Sequence, residues 1–101
     1  MHIVKDNMFP VPPLFKLIQQ QSGTPWEEMY KVFNMGHRME IYVGEEIADD
    51  IIAISKSFNI DAQIVGRCYD NDEGKGNKLT IISELGKFIY WTVGLILKTY
   101  I

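Results

Sequence analysis

Apolar residues recur at helical spacing in three stretches of this chain. In residues 14–18 and 26–33 they fall three or four positions apart, as on one face of an amphipathic helix. The third stretch carries the stripe Ile47, Ile51, Ile54 and Phe58. The pattern therefore predicts three helices, each with one face turned toward a core.

Local signals predict where these helices begin and end. Gly23 follows the first stretch and is expected to terminate it, as glycine often does. Thr24 is predicted to cap the second helix, with Glu27 completing a capping box. Gly36 is expected to end that helix. Glu45 opens the third, because acids are favoured at the positive end of the helix dipole.

Alternating apolar and polar residues predict four strands. The first covers residues 38–43, where every second side chain is apolar. Residues 61–69 form the second, with Gly66 as a bulge or a point of close approach. Residues 78–84 form the third, expected to pair with the second as a hairpin across a polar loop. Residues 87–91 are predicted as the fourth.

The order of these elements indicates an α+β fold, with helices packed on a small mixed or antiparallel four-stranded sheet. A length of 101 residues is typical of a single domain. We assign residues 1–91 to this domain, with residues 1–11 as a short lead that receives no helix or strand. Residues 92–101 are interpreted as an apolar C-terminal extension of unknown role.

Charge and cysteine content narrow the classes of partner. The net charge is −3 and the ten basic residues are scattered, so no nucleic acid is expected as a partner. The single cysteine, Cys68, excludes an internal disulfide and indicates a reducing, cytoplasmic setting, with the thiol buried and inert. The apolar run 88–97 is far shorter than the roughly 20 residues of a spanning helix. No membrane anchor is therefore expected.

No complete catalytic or metal-binding set is visible in the sequence. The polar loop 70–77 lacks the glycine and the final acid that a calcium-binding EF-hand loop requires. The lysine of that loop is not followed by Ser or Thr, so the phosphate-binding P-loop pattern also fails. His2 and His37 are too few and too far apart for a metal site. We predict no catalytic residue and no metal ligand in this chain.

One cluster of polar residues remains as a candidate site, at the turn where the second helix meets residues 38–43. Its members are Asn34, Gly36, His37 and Arg38. The cluster is either a glycine-terminated turn with a structural role or a site where side chains and free backbone N–H groups bind an anion. Since the C-terminal end of a helix repels anions, binding would depend on Arg38 and the turn.

Two motifs of this chain resemble those of a known family. PPLFKLIQ at residues 12–19 and EMYKVFNMG at residues 28–36 are similar to the C-terminal domain of phosphoribosylformylglycinamidine cyclo-ligase. This enzyme is also called aminoimidazole ribonucleotide synthetase, and it closes the imidazole ring in purine biosynthesis with ATP. The resemblance extends over about residues 3–90.

The resemblance implies a two-domain enzyme of which this chain is one part. In the family, the N-terminal half supplies the dimer barrel, the ATP-binding segment and most catalytic acids, and ATP and Mg²⁺ serve the full-length protein. The C-terminal half is partly ferredoxin-like and closes the active-site cleft. The chain resembles only this second half, so it is expected to hold no cofactor alone and to be inactive by itself.

The chain departs from the family at two places. After Gly36 the family continues with Ile and a second glycine, whereas here His37 and Arg38 follow. Side-chain contacts from this pair are expected to replace a close backbone approach, with Asn34, Gly36, His37 and Arg38 lining a shared cleft. Residues 92–101 match nothing in the family.

Three functional hypotheses follow. The first is a C-terminal cyclo-ligase domain that pairs with a separate N-terminal-half chain. The second is a non-catalytic module that binds a phosphorylated metabolite or a protein, and the third is the remnant of a split gene. In each case the missing partner domain leaves an apolar face exposed, which predicts a homo-oligomer, most simply a dimer.

Overall fold

The computed structural model describes residues 1–70 and 76–92. These residues form an α+β fold of three helices and a four-stranded mixed sheet, which confirms the predicted class. In chain order the elements are β1 (His2–Lys5), α1 (Pro13–Ser22), α2 (Trp26–Val32), α3 (Glu45–Ser57), β2 (Gly66–Tyr69), β3 (Asn77–Ser83) and β4 (Gly86–Thr92). The predicted extension, apart from Thr92, lies outside the described residues, as do residues 71–75 of the polar loop.

The sheet has the strand order β2-β1-β3-β4, and β1 lies near its centre. β1 is antiparallel to β2 and parallel to β3, while β3 and β4 form an antiparallel hairpin. No strand was predicted in the lead over residues 1–11, yet Ile3 and Val4, which are β-branched, are buried at the sheet centre in β1. The predicted hairpin of residues 61–69 with 78–84 was wrong, since β1 lies between those strands.

Residues 38–43 are not a strand in this structure, contrary to the alternating pattern. The apolar side chains Met39, Ile41 and Val43 are exposed instead of facing a core. The segment is held by Glu40, whose carboxylate binds Lys5 of β1 at 2.6 Å. Both positions beside β1 are occupied by β2 and β3, so this segment, which its ion pair holds near β1, cannot pair with that strand.

The predicted helix termini are partly confirmed. Gly23 ends α1 in the left-handed conformation, with a φ of 69°, and its N–H donates to the carbonyl of Gln19. α2 begins one residue later than predicted, with Pro25 as its N-cap and without a side-chain cap. The Thr24 hydroxyl contacts the Ser22 hydroxyl instead. α2 also ends at Val32, before the glycine that was expected to terminate it.

The core lies between α1, α2 and one face of the sheet. Its buried members are Val11, Met29 and Met35, and Met29 has no exposed surface. Partly buried side chains surround them, namely Phe15, Ile18, Trp26, Tyr30, Phe33 and Leu85. The Tyr30 ring packs 5.5 Å from Phe88 of β4, and the hydroxyl of Tyr90 donates to the carbonyl of Glu27. We call the sheet face that meets these helices the inner face and the opposite face the outer face.

α3 forms where predicted but is not packed as predicted. No residue of this helix is buried, and Ile54 and the C-cap residue Phe58 are 61% and 72% exposed. Its first turn carries Glu45 and Glu46, as the sequence indicated. The helical pattern therefore predicted the helix correctly. The expectation that its apolar stripe faces a core was wrong, because no other described element covers the stripe.

Two smaller predictions concern β2. A Cβ at Gly66 would overlap the carbonyl oxygen of Val4, which confirms the predicted close approach. Cys68 lies in β2 but is exposed, so the expected burial was wrong, although partial desolvation raises the pKa of its thiol. Within the described residues, no helix is long and apolar enough to cross a bilayer.

Candidate functional site

The candidate cluster is built on a tight turn that follows α2. Met35 and Gly36 both have positive φ, at 53° and 91°, as at the central positions of a type I′ turn. The N–H of His37 donates to the carbonyl of Asn34 at 3.0 Å and closes the turn. The Asn34 side-chain oxygen accepts from the N–H of Gly36 at 2.9 Å. The turn therefore has a defined geometry that its own residues maintain.

Gly36 is required at its position for two reasons. Its φ of 91° lies in the region that disfavours side chains. A Cβ there would also lie 2.7 Å from Cγ of Pro12, at the start of α1. The turn is thus packed directly against Pro12. This contact brings together the two stretches that carry the family resemblance, residues 12–19 and residues 28–36.

His37 is directed into the protein and is only 7% exposed. Its Nε2 accepts a hydrogen bond from the backbone N–H of Phe9 at 3.2 Å, and the two rings lie 5.3 Å apart. Because Nε2 is an acceptor, the neutral ring carries its proton on Nδ1. Nδ1 is buried and has no hydrogen-bond partner within the described residues.

Burial lowers the pKa of His37, with the nearby carboxylate of Glu40 acting in the opposite direction. The hydrogen bond from Phe9 also favours the neutral ring of His37, since a protonated Nε2 could not accept it. The structure therefore holds His37 neutral, as a clasp between the β1–α1 connection and the turn.

A partly buried ion pair lies beside this turn. Both Glu40 oxygens accept from Nζ of Lys5, at 2.6 and 2.8 Å, and Tyr42 donates its hydroxyl to Glu40 at 2.9 Å. Burial, followed by the Glu40 carboxylate, raises the pKa of the Tyr42 phenol. Two hydrogen-bonded partners fix the Glu40 carboxylate, and with it the chain that leaves the candidate turn.

The other three predicted site residues, Asn34, Gly36 and Arg38, are exposed. Within residues 1–70 and 76–92, no hydrogen bond or ion pair engages the Arg38 side chain. The turn brings Asn34, Gly36 and Arg38 to the surface and directs the fourth residue, His37, inward. Anion binding at this cluster stays a prediction.

A surface depression of about 320 Å³ lies next to the clasp. Its lining comes from the β1–α1 connection, α2 and the end of β3, namely Asp6, Asn7, Met8, Phe9, Pro10, Val11, Tyr30, Ile82, Ser83 and Glu84. Sequence reasoning did not select Phe9, which contributes to both the depression and the clasp. A backbone N–H donor leaves no mark in a residue pattern, so no signal pointed to it. In the described part of the chain, no three His, Cys, Asp or Glu side chains could hold a metal ion.

Comparison with known proteins gives one consistent relationship. No family model matches the chain. It is 43% identical over 74 residues to phosphoribosylformylglycinamidine cyclo-ligase of Methanocaldococcus jannaschii, a match that covers 73% of this chain and 21% of that protein. The enzyme of the same name from Methanococcus vannielii is 41% identical over 81 residues, covering 78% and 23%. That from Desulfotalea psychrophila is 31% identical over 74 residues, covering 73% and 21%.

The chain thus spans about a fifth of the length of the curated relatives it matches. A partial match of this size agrees with the resemblance to a C-terminal domain that the two motifs indicated. Over about three quarters of its residues, this chain is a homologue of one portion of phosphoribosylformylglycinamidine cyclo-ligase.

Proposed function

We propose that this chain serves as the C-terminal domain of a cyclo-ligase and supplies one wall of its active-site cleft. The identity of 43% to a cyclo-ligase over 74 residues carries the proposal. By resemblance to the family, the reaction is ATP-dependent closure of an imidazole ring in purine biosynthesis. The remainder of the enzyme, on the same or a separate chain, would bind ATP and Mg²⁺ and would supply most catalytic groups. The cytoplasm, which suits the single cysteine Cys68, is the proposed compartment.

The candidate turn supplies the contact with the substrate that a wall of an active-site cleft needs. Its backbone is held by hydrogen bonds of Asn34 and His37 and by the packing of Gly36 on Pro12. An element fixed in this way positions Arg38 without much further loss of conformational freedom on binding. We propose that Arg38 and Asn34 contact an anionic group of the substrate, whose charge suits a guanidinium.

A chimaeric enzyme tests this proposal. In the Methanocaldococcus jannaschii cyclo-ligase, the matched segment is replaced by this chain, and ATP-dependent ring closure is measured. We expect activity, and a loss of roughly 10- to 100-fold on Arg38→Ala, since a charge-assisted contact contributes about 1.5–3 kcal/mol. Lys56→Ala, in the last turn of α3, is the matched control and should leave the rate unchanged.

Two outcomes would contradict the proposal. A chimaera that folds but has no activity would show that this domain cannot complete the cleft. Measurable ring closure by the purified chain alone would show that the rest of the enzyme is dispensable.

A second candidate is a module that binds a phosphorylated metabolite without catalysis. The exposed Arg38 guanidinium, which no described carboxylate neutralises, favours this function. Calorimetry of the isolated chain with ribose 5-phosphate and ADP should then detect binding that Arg38→Ala abolishes. An absence of heat with both ligands would argue against it.

We also propose that the chain self-associates, most simply as a dimer. The observation behind this is the number of large apolar side chains that are exposed on α3 and on the outer face of the sheet. Sedimentation velocity over a range of concentrations tests it, and a monomer at every concentration would contradict it.

A further inference from the structure

The outer face of the sheet is buried in its middle, at Val4, Lys78 and Thr80, and carries large exposed apolar side chains around that middle. Strand register places Tyr69, Ile82, Ile89 and Trp91 on this face, on three different strands. All four are between 42% and 53% exposed. A sheet can leave one face to solvent, but that face is then usually polar.

Basic residues lie among these apolar side chains. The register pairs Ile82 with Lys87, so both belong to the outer face, and Arg67 shares it through its pairing with Val4. Nζ of Lys78 lies 4.9 Å from the centre of the Trp91 ring. Asp6 binds Arg67 at 2.8 Å, but that pair is itself exposed to solvent. Lys78 is itself buried, so the exposed positive charge that accompanies the apolar surface of the outer face is that of Lys87.

α3 presents the complementary combination. Ile47, Ile54 and Phe58 form a stripe that is 44% to 72% exposed. Asp50 is three residues after Ile47 and four before Ile54, so it borders the stripe on a helical surface. Glu46 lies four residues before Asp50, on the same border. One edge of the apolar stripe is thus acidic.

We infer that α3 of one copy of this chain docks on the outer face of a second copy, with Asp50 and Glu46 facing Lys87. The inference deepens the self-association proposed above and rests on it, but it requires no cyclo-ligase activity. Two copies can make this contact twice, each giving its helix and receiving its partner's. Such reciprocal exchange closes a dimer.

Charge complementarity is what selects a second copy as the occupant. Both surfaces are apolar, both are exposed in the same chain, and their borders carry opposite charges. A partner for the outer face must be apolar with an acidic edge, and a partner for α3 must be apolar with a basic edge. This chain itself meets both requirements, so a single dimer covers the exposed apolar side chains of both surfaces.

Complementary charge reversal tests the inference on the full chain. Asp50→Lys and Lys87→Glu are made separately, and the oligomeric state is measured by sedimentation velocity and native mass spectrometry. Each variant alone should dimerise more weakly by roughly tenfold, since like charges then face each other twice. In an equal mixture of the two variants, heterodimers should form in preference to either homodimer, because residues 50 and 87 are again opposite in charge at both contacts.

The control variants are Asp49→Lys and Lys56→Glu, which make the same charge changes on the side of α3 away from the stripe. They should dimerise as the wild type does, and circular dichroism should show native helix content in all four variants. Equal dimerisation by all variants, with no preference for heterodimers in the mixture, would overturn the assigned surfaces while leaving self-association intact. A monomeric wild type would overturn both.

Discussion

α2 and α3 are both amphipathic, yet only one of them is packed. α2 contributes Met29, which has no exposed surface, and lies on the inner face of the sheet. α3 has no buried residue, although its apolar stripe is longer. The contrast shows that an apolar stripe determines which side of a helix can be buried. It does not ensure that another element of the fold covers that side.

The largest expected effect compares one side chain from each helix. Met29→Ala should lower the free energy of unfolding by about 2–5 kcal/mol, because it opens a cavity in a closed core. Ile54→Ala, which is 61% exposed, should change it by no more than about 0.5 kcal/mol in the monomer. Urea denaturation at low protein concentration measures both. Equal losses would show that α3 is packed in solution and would remove the contrast.

A second pair of variants sharpens the boundary of the packed region. Gly36→Ala should cost about 1–3 kcal/mol, because positive φ is unfavourable for alanine and its Cβ would clash with Pro12. Gly23→Ala is the control, since its φ is also positive but no atom lies within 4 Å of the added Cβ. Thermal unfolding should rank Gly36→Ala as the more damaging change. The reverse ranking would mean that the turn does not pack on α1.

The third prediction concerns pH. The folded protein lowers the pKa of His37 below its ordinary value, so the unfolded chain binds this proton more readily. Stability should therefore be complete above about pH 6.5 and should fall as the pH decreases below it, by at most about 1.4 kcal/mol per pH unit. Urea midpoints at several pH values measure the slope. His37→Asn should flatten it, and an unchanged slope in that variant would assign the pH dependence to other groups.

Local signals in the sequence were sufficient to predict much of this fold. The turn at Gly23, the start of α3 at Glu45 and the β4 strand follow from glycine chemistry, helix-dipole charges and alternation over short distances. The position of β1 could not be predicted in the same way. Its four residues are too few to show a period, and its place in the sheet depends on strands more than sixty residues away.

The candidate site shows a similar division. The cluster of Asn34, Gly36 and Arg38 at a turn was predictable, because each residue type is common where a helix gives way to an irregular segment. The inward direction of His37 was not predictable, since it depends on the backbone N–H of Phe9, 28 residues earlier. Nor was the ion pair of Lys5 with Glu40, which requires β1 to lie beside the chain that leaves the turn.

The central place of β1 has a consequence for how the protein is made. His2 pairs with Lys78 on one side and with Tyr69 on the other, so β1 cannot join the sheet until strands more than sixty residues further along the chain have been synthesised. Contacts between such distant residues slow folding, because a long loop must close first. The helices can form early on the ribosome, but the sheet is completed only after β4, which ends at Thr92, has left the exit tunnel.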